Sequence, residues 1–117
     1  MKGILGLLAA FVISFSVYAT DCEAPMSNER FTALYKSVEL KKADQQRYRL
    51  IVAFSKRECF SVAQLSEVLS LVEEQKMKAS ITFEVYEYLY DKDNIQQITS
   101  EFTEQQKLMI QKAINKK

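Results

Sequence analysis

After Gly6 the chain contains no glycine; it has one proline, Pro25, and no histidine at all. Each absence removes a class of chemistry. Phosphate-cradling loops, dinucleotide-binding turns and nucleophile elbows need glycine, because their backbones approach a ligand closely or sit at positive φ. Without histidine, a serine or cysteine nucleophile lacks its usual base, and no lysine or carboxylate stands at a spacing that nominates a substitute. A metal site finds no support in two cysteines, no histidine and no close cysteine pair. Charge excludes as well: 16 basic against 15 acidic residues leave no electrostatic footprint for nucleic acid or an anionic membrane surface. The residues therefore nominate no catalytic, cofactor-binding or metal-binding position.

Paired carboxylates do occur, at Glu73-Glu74 and at Asp91 and Asp93. Helix caps and solvated faces are the default use of such pairs, and a glycosidase-like pair is the alternative. Asp91-Lys92-Asp93-Asn94 has the acidic start of a calcium loop, but it lacks the turn glycine and carries Phe102 where the bidentate acid belongs. It reads instead as a turn, with Asx side chains supplying what glycine often does.

The N-terminus carries the features of an export signal. Met1 and Lys2 form a short basic start, and Ile4 to Val17 is apolar except for Gly6, Ser14 and Ser16. Val17-Tyr18-Ala19 then offers a small residue at the cut. Cleavage is expected after Ala19, leaving residues 20–117 as one domain in a secreted or periplasmic setting. A retained anchor is the alternative, although the run is shorter than the roughly 20 residues a bilayer span needs. Lipidation at Cys22 is disfavoured by Asp21 directly before it. No membrane span is expected after cleavage. Cys22 and Cys59 can pair within the chain only with each other, and an oxidising compartment favours that pair. Two buried thiols or an intermolecular bridge are the competing readings.

Apolar spacing beyond Cys22 is helical nearly throughout. Phe31, Leu34, Tyr35 and Val38 form one helix face, with Ser27 as N-cap. Asp44 is expected to cap a second helix, whose inner face is the Arg47 stem, Leu50, Ile51 and Phe54, with Tyr48 beside it. Ser61-Val62-Ala63-Gln64 is a capping box, with Phe60 and Leu65 at the hydrophobic-staple positions and Val68, Leu69 and Val72 continuing the stripe. Residues 77–90 are ambiguous between strand and helix. Ile81, Phe83 and Val85 alternate, but Ala79, Phe83, Tyr86 and Tyr90 fit helical spacing and no partner strand exists, so helix is predicted. A short helical piece through Ile95 and Ile98 follows. A last helix opens at Thr103-Glu104-Gln105-Gln106 and turns Leu108, Met109 and Ile114 inward.

A duplicated helix–corner–helix unit of about 30 residues is also suggested. Asp44-Gln-Gln-Arg47 matches Glu73-Glu-Gln-Lys76, and Phe54 matches Phe83. One residue further out of register, Ser61-x-x-Gln64-Leu65 matches Asp91-x-x-Asn94-Ile95, and Val68 matches Ile98. The predicted fold is all-α: five or six short helices in a small single-domain bundle, pinned by one disulfide.

Cys22-x-x-Pro25-Met26, Phe31, Arg47 opening the second helix, Cys59-Phe60-Ser61-x-x-Gln64-Leu65, Tyr90-Asp91-x-x-Asn94 and Phe102 give the chain a resemblance to a family of small exported domains, the domain-of-unknown-function family DUF 4476. The chain departs from the family pattern at Tyr48 and Met77, where leucine is usual, and at Ile95, where an aromatic is usual. Apolar character survives each change. The resemblance implies an exported helical domain and supplies no catalytic residue.

Tyr86, Tyr88 and Tyr90 remain as the lead for a binding surface, since tyrosine joins large contact area to a polar tip. On a continuous helix Tyr86 and Tyr90 share a face and Tyr88 points elsewhere. Packing alone, with hydroxyls reaching water, is the bland alternative. The expected function is a non-enzymatic interaction or structural module that binds a protein or another envelope component. The alternative is an envelope enzyme or enzyme inhibitor with a carboxylate- or tyrosine-lined groove.

Overall fold

Ser27 opens the first helix in the computed structural model, which describes residues 22–116. Its side-chain oxygen accepts from the Arg30 amide at 3.2 Å. The export-signal reading and its cleavage point lie outside the described residues. Six helices follow in order: α1 (Asn28–Glu39), α2 (Asp44–Ser55), α3 (Val62–Leu69), α4 (Gln75–Val85), α5 (Gln96–Thr99) and α6 (Glu104–Asn115). Short 3₁₀ turns occupy Tyr86–Tyr88 and Lys92–Asn94. Among the described residues there is no strand, only an isolated parallel bridge between Phe60 and Leu89. The fold is all-α, as its periodicity predicts.

The helices form two rows. α1, α3 and α5 pack neighbour to neighbour in one, and α2, α4 and α6 in the other, while α1 packs on α2 and α5 on α6. The chain thus runs as three helix pairs, α1–α2, α3–α4 and α5–α6, a short stack offset by one helix from the unit that the sequence suggests, which spans α2–α3 and α4–α5. Equivalent positions show it. Phe31, Leu34 and Val38 of the first unit correspond to Leu65, Val68 and Val72 of the second and to Ile95, Ile98 and Phe102 of the third, and all nine are buried. In the second row Ile51, Ile81 and Ile110 are buried at matching places. That match displaces the Phe54–Phe83 correspondence by one residue. Full burial of one isoleucine is worth about 1.5–3 kcal/mol. An exposed ion pair such as Arg30–Glu58 contributes about 0–1 kcal/mol. The apolar ladder therefore holds the rows together.

Without glycine the corners use ordinary backbone. No described residue has positive φ. Each helix closes on a right-handed residue, such as Leu40 (φ −78°, ψ −13°) after α1 and Ser70 (φ −63°, ψ −16°) after α3. The left-handed cap that glycine usually supplies is not used. Starts carry the definition instead. Ser61 and Thr103 head full capping boxes with Gln64 and Gln106. Among the described residues the two buried polar side chains stay satisfied within their own helices: Ser55 donates to the Val52 carbonyl at 2.7 Å, and Thr82 to the Lys78 carbonyl at 2.8 Å.

Three expectations need correction. Asp44 does not cap its own helix, whose N-cap is Ala43 without a side-chain bond. Its carboxylate instead accepts from the amides of Glu73 (3.1 Å) and Glu74 (2.8 Å), at the start of α4. The 77–90 helix stops at Val85, and the stripe Ala79, Phe83, Tyr86 and Tyr90 is not its core face. α4 lies between α2 and α6, so it buries a broad face of Ala79, Ile81, Thr82 and Val85 and leaves Phe83 at the margin. Leu108 points outward, 64% exposed, because Ile110 takes the inner face of α6.

Asp44 joins the first two units. Besides the two amides it meets Arg47 at 2.6 Å, and Arg47 also donates to the Lys41 carbonyl at 2.8 Å. Burial pushes the Asp44 carboxyl upward, but the Glu73 and Glu74 amides and Arg47 outweigh it and hold the group below the usual carboxylate range. A lowered folded-state pKa contributes stability above the ordinary value of about 3.9 and loses it as pH falls through the folded value. Asp44→Asn is therefore expected to be less stable than wild type at neutral pH, with the difference shrinking below about pH 4. Paired denaturant titrations check this; a difference independent of pH would show that the carboxylate charge is not what the amides recognise.

Candidate functional site

Three chain segments meet where the units begin. Cys22 and Cys59 form a disulfide with 5.7 Å between their α-carbons. Four residues beyond Cys22, the Met26 amide donates to the Cys59 carbonyl at 2.7 Å. On the other side the Tyr90 amide donates to the Phe60 carbonyl, also at 2.7 Å. The starts of the first, second and third units thus lie side by side. Side chains tighten the seam. Gln64 accepts from the Ser61 amide within its capping box and donates from Nε2 to the Met26 carbonyl at 2.8 Å. Asp91 accepts from the Val62 amide at 2.8 Å, so the third unit caps the helix of the second. Its other oxygen accepts from Asn94 Nδ2 at 2.9 Å.

This seam explains the tyrosine arrangement. After Val85 the chain tightens into the 3₁₀ turn Tyr86–Tyr88 and then extends at Leu89 (φ −78°, ψ 142°) to reach Phe60. Helical spacing ends there, so Tyr86 and Tyr90 do not share a helix face. Tyr86 and Tyr88 are half-buried, and the turn packs against α6. Tyr90 is 46% exposed, whereas Leu89 beside it is 2% exposed. The Cys22 sulfur lies 3.1 Å from the Tyr88 carbonyl oxygen.

The electrostatics are set by carboxylates from the same stretch. Burial raises the Tyr88 phenol above its usual range, and the hydrogen bond to Glu87 with the charges of Glu87 and Glu84 adds to the rise. Tyr86 is raised by burial and then by Asp93, while Lys92 Nζ sits 5.7 Å from the centre of its ring. An open groove of about 350 Å³ is lined by Cys22 and by residues 87 and 89–93, Glu87, Tyr90, Lys92 and Asp93 among them. Such a surface can hold a partner's aliphatic or cationic side chain against an aromatic ring. The cysteine pair is legible in the sequence, and the structure brings Tyr86, Tyr88 and Tyr90 to the same seam. Sequence reasoning missed Asp91 as the cap of another unit's helix, for which no signal existed, because the acceptor and its amide stand 29 residues apart.

Two outcomes follow. Cys59→Ser should lose about 2–5 kcal/mol of stability and expose one titratable thiol; two thiols in the oxidised wild type would contradict the bond. Glu87→Gln should bring the Tyr88 phenol titration down towards its ordinary value near 10. Ultraviolet titration of the phenolate reads this directly, and an unmoved Tyr88 would mean that burial alone sets it.

The profile of the family described as Domain of unknown function (DUF4476) matches residues 25–114, and the chain belongs to that family. No curated protein and no solved structure matches it. Among the described residues no helix is long and apolar enough to cross a membrane.

Proposed function

We propose that this family member is an exported, non-enzymatic interaction module that engages a protein or another envelope component through the Tyr86–Tyr90 corner. One observation carries the reading: Tyr90 projects 46% exposed from backbone fixed on both sides. Its amide is tied to Phe60, Leu89 before it is buried, and the Cys22–Cys59 bond closes the neighbouring strand of chain. A rigidly presented tyrosine gives large contact area with little ordering entropy lost on binding. Glu87 and Asp93 rim it with negative charge and Lys92 with positive charge. Export is supported by the N-terminal apolar segment and agrees with the disulfide.

The groove has the carboxylates that the alternative, an envelope enzyme or enzyme inhibitor, would use. Asp91, however, spends both oxygens on the Val62 amide and Asn94, which makes it a structural cap. The interaction reading therefore uses the surface as it stands. Affinity capture from the native envelope or culture fluid tests it, using protein that starts at Thr20. Wild type should retain a partner that Tyr90→Ala loses while keeping its circular-dichroism spectrum and unfolding midpoint. Identical capture by the variant, or no capture by wild type, would remove the tyrosine corner from the function.

A further inference from the structure

An aromatic ring is negative over its face, so a cation placed there is attracted to it. Among the described residues three rings carry a cation of this chain. The Arg30 guanidinium carbon lies 5.8 Å from the centre of Phe54, while its Nη2 meets the Glu58 carboxylate at 2.6 Å. Lys92 Nζ lies 5.7 Å from the centre of Tyr86, a phenol that also feels the charge of Asp93. Lys116 covers Phe83 at 5.8 Å. Tyr90 differs from all three. It is the one exposed aromatic among the described residues, and none of these cations lies over its ring.

Charge gives the same answer. The groove that Tyr90 lines has three carboxylates, Glu87, Asp91 and Asp93, against one ammonium, Lys92, which is turned to Tyr86. Among the described residues none of the three forms an ion pair. Asp91 accepts from two neutral donors, the Val62 amide and Asn94 Nδ2, so its negative charge is not cancelled. The neighbouring phenols register the field. Burial raises both, Asp93 raises Tyr86 further, and Glu87 and Glu84 do the same to Tyr88. An exposed ring beside uncancelled carboxylates lacks only the cation that Phe54 and Glu58 find in Arg30. Arginine suits the place better than lysine. Its planar, weakly hydrated guanidinium lies flat on a ring and still donates from its edge to carboxylates, whereas an ammonium is compact and strongly hydrated. We propose, on the reading of Tyr90 as the contact residue, that the groove takes the side chain of an exposed arginine of a partner protein. The guanidinium lies on the Tyr90 ring, and Glu87 and Asp93 accept its hydrogen bonds.

The probe is a short acetylated and amidated peptide with two arginines in a glycine backbone. Its control carries citrulline in their place, which keeps the planar shape and loses the charge. Each is titrated into the disulfide-bonded protein while amide and tyrosine-ring chemical shifts are followed. The arginine peptide should bind more tightly by roughly tenfold or more, with shifts concentrated at Glu87, Tyr90 and Asp93. Its affinity should fall as salt is added. Tyr90→Ala, and separately Glu87→Gln with Asp93→Asn, should each remove most of the discrimination and leave the unfolding midpoint in place. Tyr90→Phe, which keeps the ring, should retain it. Equal binding of the two peptides, no binding of either, or shifts located elsewhere would overturn the proposal. Self-association of the wild type that Tyr90→Ala abolishes would also overturn it, by assigning the groove to a second copy. Capture from the native envelope separates this proposal from the broader reading. A partner lost by Tyr90→Ala but kept by the Glu87→Gln, Asp93→Asn protein would leave the tyrosine contact standing and remove its arginine.

Discussion

Two backbone hydrogen bonds, from Met26 to Cys59 and from Tyr90 to Phe60, set the register on which the rest of the molecule depends. Each joins the start of one helical hairpin to the start of the next. A helix start has unsatisfied amides and a fixed direction, so aligning three starts aligns three helices. Once α1, α3 and α5 lie in one row, their partner helices fall into the second, and the Ile51, Ile81 and Ile110 side chains reach matching depths. The disulfide reinforces a contact the backbone already makes. It removes freedom from the unfolded chain more than it shapes the folded one.

The polar groups at the seams work between units as much as within them. Asp44 serves the start of α4, Asp91 the start of α3, and Gln64 holds both its own cap and the carbonyl of Met26. An acceptor on one hairpin that satisfies amides on another is rewarded only when both are in place. That couples otherwise local helices into one cooperative structure. Among the described residues the helix ends close in ordinary right-handed geometry, which needs no glycine.

Most helix starts are legible in the sequence, and contacts between units are not. Ser27, the Ser61–Gln64 box and the Thr103–Gln106 box mark helix starts because a cap and its amides are close in sequence. Buried stripes on α1 and α3 were legible because each of those helices has one inner face. α4 was not, since a helix packed on both sides loses the contrast between faces that periodicity measures. The end of α4 was hidden for a related reason. Nothing between residues 77 and 90 forbids more helix; the pull comes from Phe60, far back in the chain. The candidate site depends on the same long-range contact. Its tyrosines stood out by composition, but which one faces solvent is decided by the extended Leu89 and the anchored Tyr90. Asp44 departs from the local pattern, since an aspartate near a helix start ordinarily caps that helix and this one serves α4.

Net charge was the least informative number, and its distribution among the most informative. A near-neutral total conceals a basic first unit, an acidic middle and a basic last helix. The acidic middle places Glu84 and Glu87 around Tyr88, and Asp93 beside the exposed Tyr90. The stack thereby presents an aromatic corner rimmed with carboxylates. The rows of helices that display this corner are held by the buried ladder of Ile51, Ile81 and Ile110, and Asp91 at the corner ties it to the start of α3.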